Sequence, residues 1–185
     1  MELIVGMAIL GILMSLGIPA FSDWMRNARV RTTAESVLNG LQLARAEAVR
    51  RNTTVGLYLV TTASPCALSP AGPNWIVSVD SPVGKCDVAP SDTAAPFIIQ
   101  LRGGTESGGA TTTVAAGQAA VVFNGLGRPT PLPAGTIAIN FTDAAGAACK
   151  ESGGPVRCLR AEISVGGQIR MCDPALPAGD AQGCI

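Results

Sequence analysis

From Leu3 to Ser22 the chain runs 20 consecutive residues without a charge, LIVGMAILGILMSLGIPAFS. At the α-helical rise that is roughly 30 Å, the thickness of a hydrocarbon core. No turn follows. From Asp23 to Arg51 charges appear at 23, 26, 29, 31, 35, 45, 47, 50 and 51, while Ala34, Val37, Leu38, Leu41, Ala44 and Ala48 recur at three- and four-residue spacing. The spacing predicts an amphipathic helix continuous with the apolar run, covering about residues 2 to 51 and ending at Asn52-Thr53. Pro19 is expected to kink it. A cleaved secretory signal needs a basic segment before its apolar stretch, and only Met1 and Glu2 stand there. The run is therefore read as a membrane anchor.

The rest is built for short strands. Gly (22) and Pro (13) are abundant and charged residues make up only 14% of the chain, which favours many turns. Apolar or β-branched runs at 54–60, 75–79, 97–101, 119–123, 136–141, 157–165 and 168–172 are separated by turn-rich stretches. Gly103–Gly109 reads as a hairpin or surface loop, and 124–129 and 131–135 as turns. The expected fold is α+β: residues 1–22 an anchor, 23–52 the amphipathic half of the same helix, and 53–185 a small antiparallel sandwich or meander laid on its stripe.

Several function classes fall away. There is no histidine, so the usual general base, the commonest metal ligand and every Ser-His or Cys-His pair are missing. No paired-carboxylate or nucleophile-base motif points to an enzyme. Thirteen basic residues balance thirteen acidic ones, so no global field draws the molecule to nucleic acid. Cys66, Cys86, Cys149, Cys158, Cys172 and Cys184 lack metal-ligand spacing, and an even count implies disulfides in an oxidising compartment. Neighbour pairing is the simplest of 15 connectivities for six cysteines.

The segment MELIVGMAILGILMSLGIPAF at 1–21 resembles the N-terminus of type IV pilins and pseudopilins, with Glu2 matching the glutamate within their apolar run and Gly11 and Pro19 at the downstream spacing. ARAEAVRRNTTVGLYL at 44–59, NWIVSVD at 74–80, FNGLGRP at 123–129 and LRAEISVGGQIRMCDP at 159–174 resemble the GspH/FimT family of minor pilins. The resemblance implies a type IV pilin-like fold and a structural or priming subunit in filament assembly. It also implies other pilins as partners, a single pass through the inner membrane, a periplasmic β-rich domain, and no cofactor or metal. The alternatives are a minor pseudopilin of type II secretion or, from another class, an anchored periplasmic enzyme or ligand binder.

The resemblance further implies a leader ending in Gly, cut by a prepilin peptidase before an N-methylated Phe, so in-frame DNA upstream of Met1 is expected to encode them. Glu2 is the assembly candidate, because a lone carboxylate beside an apolar span needs a partner. Some FimT proteins bind DNA through a G-R-x-R motif, which here reads Gly167-Gln168-Ile169-Arg170. With one arginine absent, binding to double-stranded DNA is expected to be weak. Its candidate residues are Gly167, Gln168, Arg170, Arg160 and Arg157. Arg128 and Lys150 add charge to this half of the chain, with Asp143, Glu151, Glu162 and Asp173 interleaved.

Overall fold

The computed structural model describes residues 2–61, 65–103, 111–177 and 179–184, the side chains of 2–4 and 8–20 excepted. Most of the Gly103–Gly109 loop lies outside the described residues, as does the side chain of Pro19. Helix α1 is continuous over Glu2–Arg51. Its stop is built by Asn52, whose φ of 48° breaks the helical path while Thr53 N–H donates to Ala48 O at 3.2 Å. A left-handed residue at this point satisfies a terminal carbonyl that the helix leaves open.

Eight strands follow: β1 (Val55–Leu59), β2 (Trp75–Ser78), β3 (Ile98–Arg102), β4 (Thr112–Ala116), β5 (Ala120–Phe123), β6 (Ile137–Asp143), β7 (Leu159–Ile163) and β8 (Ile169–Cys172). They form two antiparallel four-stranded sheets, ordered β3-β2-β1-β5 and β4-β6-β7-β8. Seven coincide with the apolar runs of the sequence. The eighth, β4, falls in a stretch that was not read as a strand. It pairs along β6 from Thr112 opposite Asp143 to Ala116 opposite Ile139. Its inward positions Thr112 and Val114 are buried, but threonine gives no apolar signal.

One core joins the helix to both sheets. Val30, Ala34, Val37, Leu41, Ala44 and Ala48 are fully buried and form a stripe at helical spacing. They pack with Val55, Leu57, Trp75, Val77 and Phe123 of the first sheet, and with Val114, Ile139, Phe141, Ala161 and Ile163 of the second. Close approach requires glycine at one point, because a Cβ on Gly40 would stand 2.8 Å from Leu57 Cδ1 and 2.9 Å from the Trp75 ring. The Trp75 indole N–H donates to Ser36 Oγ at 3.3 Å, satisfying the polar atom of a buried ring.

The opposite face of the first sheet is also covered. Tyr58, Val60, Ile76 and Ile98 form a second small cluster beneath Cys86 and Val88. Burial raises the Tyr58 phenol above its usual range, with Asp80 adding to the effect. Three disulfides are present: Cys66–Cys86, Cys149–Cys158 and Cys172–Cys184. The first holds the covering loop over the second cluster. The third ties the C-terminal tail to β8.

Candidate functional site

The candidate DNA-binding residues converge on the β7–β8 hairpin and on the residues that flank it. In its register Glu162 stands opposite Arg170 and Arg160 opposite Cys172, and β8 is the free edge of its sheet. The connecting turn is tight: Ser164 N–H donates to Gln168 O at 2.9 Å, Gly167 N–H to Ser164 O at 2.8 Å, and Gln168 N–H to Ser164 Oγ at 3.1 Å. Gly167 has φ 83°, a conformation that other residues reach only at a cost.

Gly167 is buried while Gln168 is exposed. A Cβ on Gly167 would lie 2.0 Å from Gly127 O and 3.4 Å from Arg128 Cα. The β7–β8 turn is thus seated directly on the 124–129 turn. That second turn is organised by Asn124, whose Oδ1 accepts from Leu126 N–H at 3.0 Å and Arg128 N–H at 3.1 Å. Its third support comes from the helix, where Arg45 Nε donates to Gly127 O at 3.1 Å. The glycine of the motif is a packing residue.

The three arginines are each engaged. Arg170 donates through Nε (3.0 Å) and Nη2 (2.7 Å) to Glu162 Oε2, and Glu162 is only 4% exposed. Arg160 Nε donates to Asn140 Oδ1 at 2.8 Å. Arg157 Nε donates to Asp173 Oδ2, and the buried Asp173 also accepts from Ala175 N–H at 2.9 Å through Oδ1. Two of the three arginines are thus paired with buried carboxylates, which lowers the phosphate-binding capacity of the patch. Sequence reasoning grouped Arg128 with the general positive charge. The turn-on-turn contact sets it beside Gly167, exposed, and in no ion pair among the described residues. Arg45 was not singled out at all. The recurring Gly-containing turns at 124–129 and 164–168 carried the signal that the two segments meet.

At the helix terminus, Glu47 accepts from Arg50 Nη2 at 2.6 Å and Arg51 Nε at 2.8 Å, and Arg51 Nη2 reaches Asp92 at 2.7 Å. The Arg50 hydrogen bond holds the Glu47 carboxyl below its usual range, burial opposes it, and Arg51 adds to the lowering. Glu2 begins α1, and its side chain lies outside the described residues. Among the described residues one cluster has metal-ligand proximity, Glu162, Cys172 and Cys184, with donor atoms within 4.8 Å of one another. It does not fit a metal: the two sulfurs are bonded to each other and Arg170 occupies the carboxylate. Among the described residues no helix is long and apolar enough to cross a membrane.

Comparison with known proteins agrees with this architecture. No curated protein matches the chain. Two crystal structures of the type IV minor pilin FimU of Pseudomonas aeruginosa (strain PAO1) share the fold. One, in space group P65, has TM-score 0.51 and 18% identity over 84% of this chain and 99% of that one. The other, in space group P21, has TM-score 0.52 and 16% identity over 84% of this chain and 95% of that one. The family described as type II transport protein GspH matches residues 33–175, from the helical stripe through β8 and well over half of the chain. The chain therefore belongs to the GspH family, on a fold it shares with a type IV minor pilin.

Proposed function

We propose that the chain is a minor pilin of a type IV pilus, a structural or priming subunit anchored in the inner membrane by residues 1–22 with its β-rich domain in the periplasm. The observation that carries this reading is the unbroken helix Glu2–Arg51, apolar along its first half in sequence and buried along one stripe of its second. A helix of that design holds a folded domain at a fixed distance from an apolar layer. Three disulfides suit the oxidising periplasm. Prepilin peptidase acts on the full-length precursor, and neighbouring pilins are the partners.

Glu2 is the assembly residue, its carboxylate offsetting a positive group of an adjacent subunit during assembly. In the test, Glu2→Val is introduced into the full-length precursor and the subunit is measured in sheared pili and in membranes. The expected result is a folded, membrane-held domain with reduced recovery in pili. Unchanged recovery refutes the assembly role. A pseudopilin of type II secretion is the second reading, favoured by the name of the matching family. Loss of protein secretion with intact pili in a deletion strain would select it.

DNA binding is a weak, sequence-independent addition at low salt. Gln168 is exposed in the turn whose Gly167 packs against the backbone of Gly127 and Arg128, so Gln168→Arg adds one phosphate contact and about one unit of salt slope. Gel-shift titration at two salt concentrations tests it. Unchanged affinity for Gln168→Arg shows that this edge does not meet DNA.

A further inference from the structure

Where the apolar run gives way to the charged half of α1, the helix carries an exposed aromatic pair. Phe21 is 63% exposed and Trp24 62%, and their ring centroids stand 5.8 Å apart. With Ala28 and Arg31 they recur at three- and four-residue spacing, so all four share a helix face distinct from the buried stripe that begins at Val30. This face forms one wall of a groove of about 540 Å³. Leu159, Met171 and the Cys172 end of β8 line the other wall, with Arg31 and Arg157 at its polar margin. The backbone N–H of Arg157 donates to Asn27 Oδ1 at 2.6 Å, tying the two walls together.

The charges around the groove are unequal in availability. Asp23 is paired with Arg26, and Asp173 is buried against Arg157. Arg31 gives Nε to Glu35 but keeps its terminal nitrogens on a side chain that is 71% exposed. The Arg157 side chain is 49% exposed beyond its Asp173 contact. Cationic donors therefore face solvent while the carboxylates are occupied. An aromatic pair, an apolar wall and available guanidinium groups, placed at the end of an uncharged 20-residue run, match a layer that is greasy on one side and anionic on the other.

We propose that Phe21, Trp24 and this groove form a seat for phospholipid headgroups of the bilayer. The rings lie at the headgroup level, and Arg31 and Arg157 meet lipid phosphates. The seat fixes the depth and tilt of the domain on the membrane before the subunit enters a filament. It rests on the reading of residues 1–22 as an anchor. A second copy of this chain is a poorer occupant than lipid, because its most exposed rigid apolar projection, Leu126, sits beside Arg128 and Arg45 and would bring arginine to arginine.

The experiment uses the full chain in vesicles of phosphatidylethanolamine and phosphatidylglycerol, and in vesicles of phosphatidylcholine. Trp24→Phe is compared with the unaltered chain, so that the difference in fluorescence reports Trp24 alone and leaves the buried Trp75 untouched. Brominated lipids quench that difference signal, with bromine placed either near the glycerol or near the chain ends. The seat predicts stronger quenching from bromine near the glycerol, and more of it in the anionic vesicles. Each arginine near an anionic surface shifts the seated population about fivefold. Arg31→Gln therefore lowers quenching in anionic vesicles by reducing that population about fivefold, while leaving phosphatidylcholine vesicles unchanged. A chain that does not float with the vesicles in high salt overturns the anchor and the seat together. A chain that floats with Trp24 unquenched, or quenched equally in both lipids and in the arginine variant, overturns the seat and leaves the anchor intact.

Discussion

Replacing Gly167 with alanine is expected to be among the most damaging single-methyl changes in this domain. Two separate penalties combine. The backbone sits at φ 83°, where an L residue with a Cβ loses roughly 1–2 kcal/mol relative to glycine. The new Cβ also meets Gly127 O at 2.0 Å, and van der Waals contact demands more than an ångström of further separation. The obstacle is backbone, so no side chain can swing aside. Moving the 124–129 turn breaks or lengthens the Arg45 Nε to Gly127 O bond (3.1 Å) and the Gly127 N–H to Asn124 O bond (2.8 Å), each contributing about 1 kcal/mol. The total is about 3–4 kcal/mol, a shift of roughly 10 °C in Tm for a domain of this size.

Gly166→Ala provides the control one residue away. Its added Cβ would find only Ser164 Oγ at 3.8 Å, and its φ lies outside the left-handed range, so it should stay within about 0.5 kcal/mol of the parent. Urea denaturation of both variants under non-reducing conditions, followed by far-UV circular dichroism, measures the difference. If Gly167→Ala and Gly166→Ala lose the same small amount, the turn-on-turn contact is not what requires glycine. The motif's glycine would then be open to a role in ligand contact.

Glu162→Ala should cost about 2 kcal/mol in the same assay, less than a fully buried pair because the Arg170 side chain is 29% exposed, and an unchanged midpoint would refute the pair's contribution. Converting Cys172 and Cys184 together to serine opens a loop of 12 residues and should lower stability by about 3 kcal/mol, while peptide mapping of the parent without reductant should recover these two cysteines linked. A free Cys172 in that map contradicts the tethered tail. Glu47 titrates below the ordinary glutamate value in the folded protein, so its contribution is complete above that value and is lost as pH falls through the depressed one. Glu47→Gln should flatten the fall in Tm over this acidic range, and an equal slope in both proteins would count against the Arg50 and Arg51 contacts.

The helix was legible because two patterns, an uncharged run and a stripe at 3.6-residue period, abut without a turn between them, and Asn52 ends both. Seven strands were legible for a similar reason: each carries two or more large apolar residues. β4 was not, since its inward positions are Thr112 and Val114 and it follows a glycine-rich stretch. The pairing of Glu162 with Arg170 was within reach of the sequence, because a turn centred on Gly166 sets residues equidistant from it opposite one another. Arg157 with Asp173 was not, since neither sits in paired strand register and their meeting depends on the path into the disulfide-tied tail. The contact between Gly167 and Gly127 lies further still from any local pattern. It is set by how two turns forty residues apart pack at one end of the helix.

These contacts decide which part of the helix belongs to the domain. Fully burying Val30, Ala34, Val37, Leu41, Ala44 and Ala48 stabilises the folded state by about 8 kcal/mol on transfer free energies, comparable with the whole stability of an ordinary domain. Peeling residues 30–51 away from the sheets would thus amount to unfolding them. Arg45 on Gly127 and Arg51 on Asp92 add polar ties at the far end of the same stretch. The segment from Val30 onward therefore moves as one body with the β-structure. Any change of angle between domain and membrane, or between domain and filament axis, has to be taken up N-terminal to Val30. That is where Phe21 and Trp24 stand exposed, and where a lipid seat would act with the greatest leverage on the orientation of the domain.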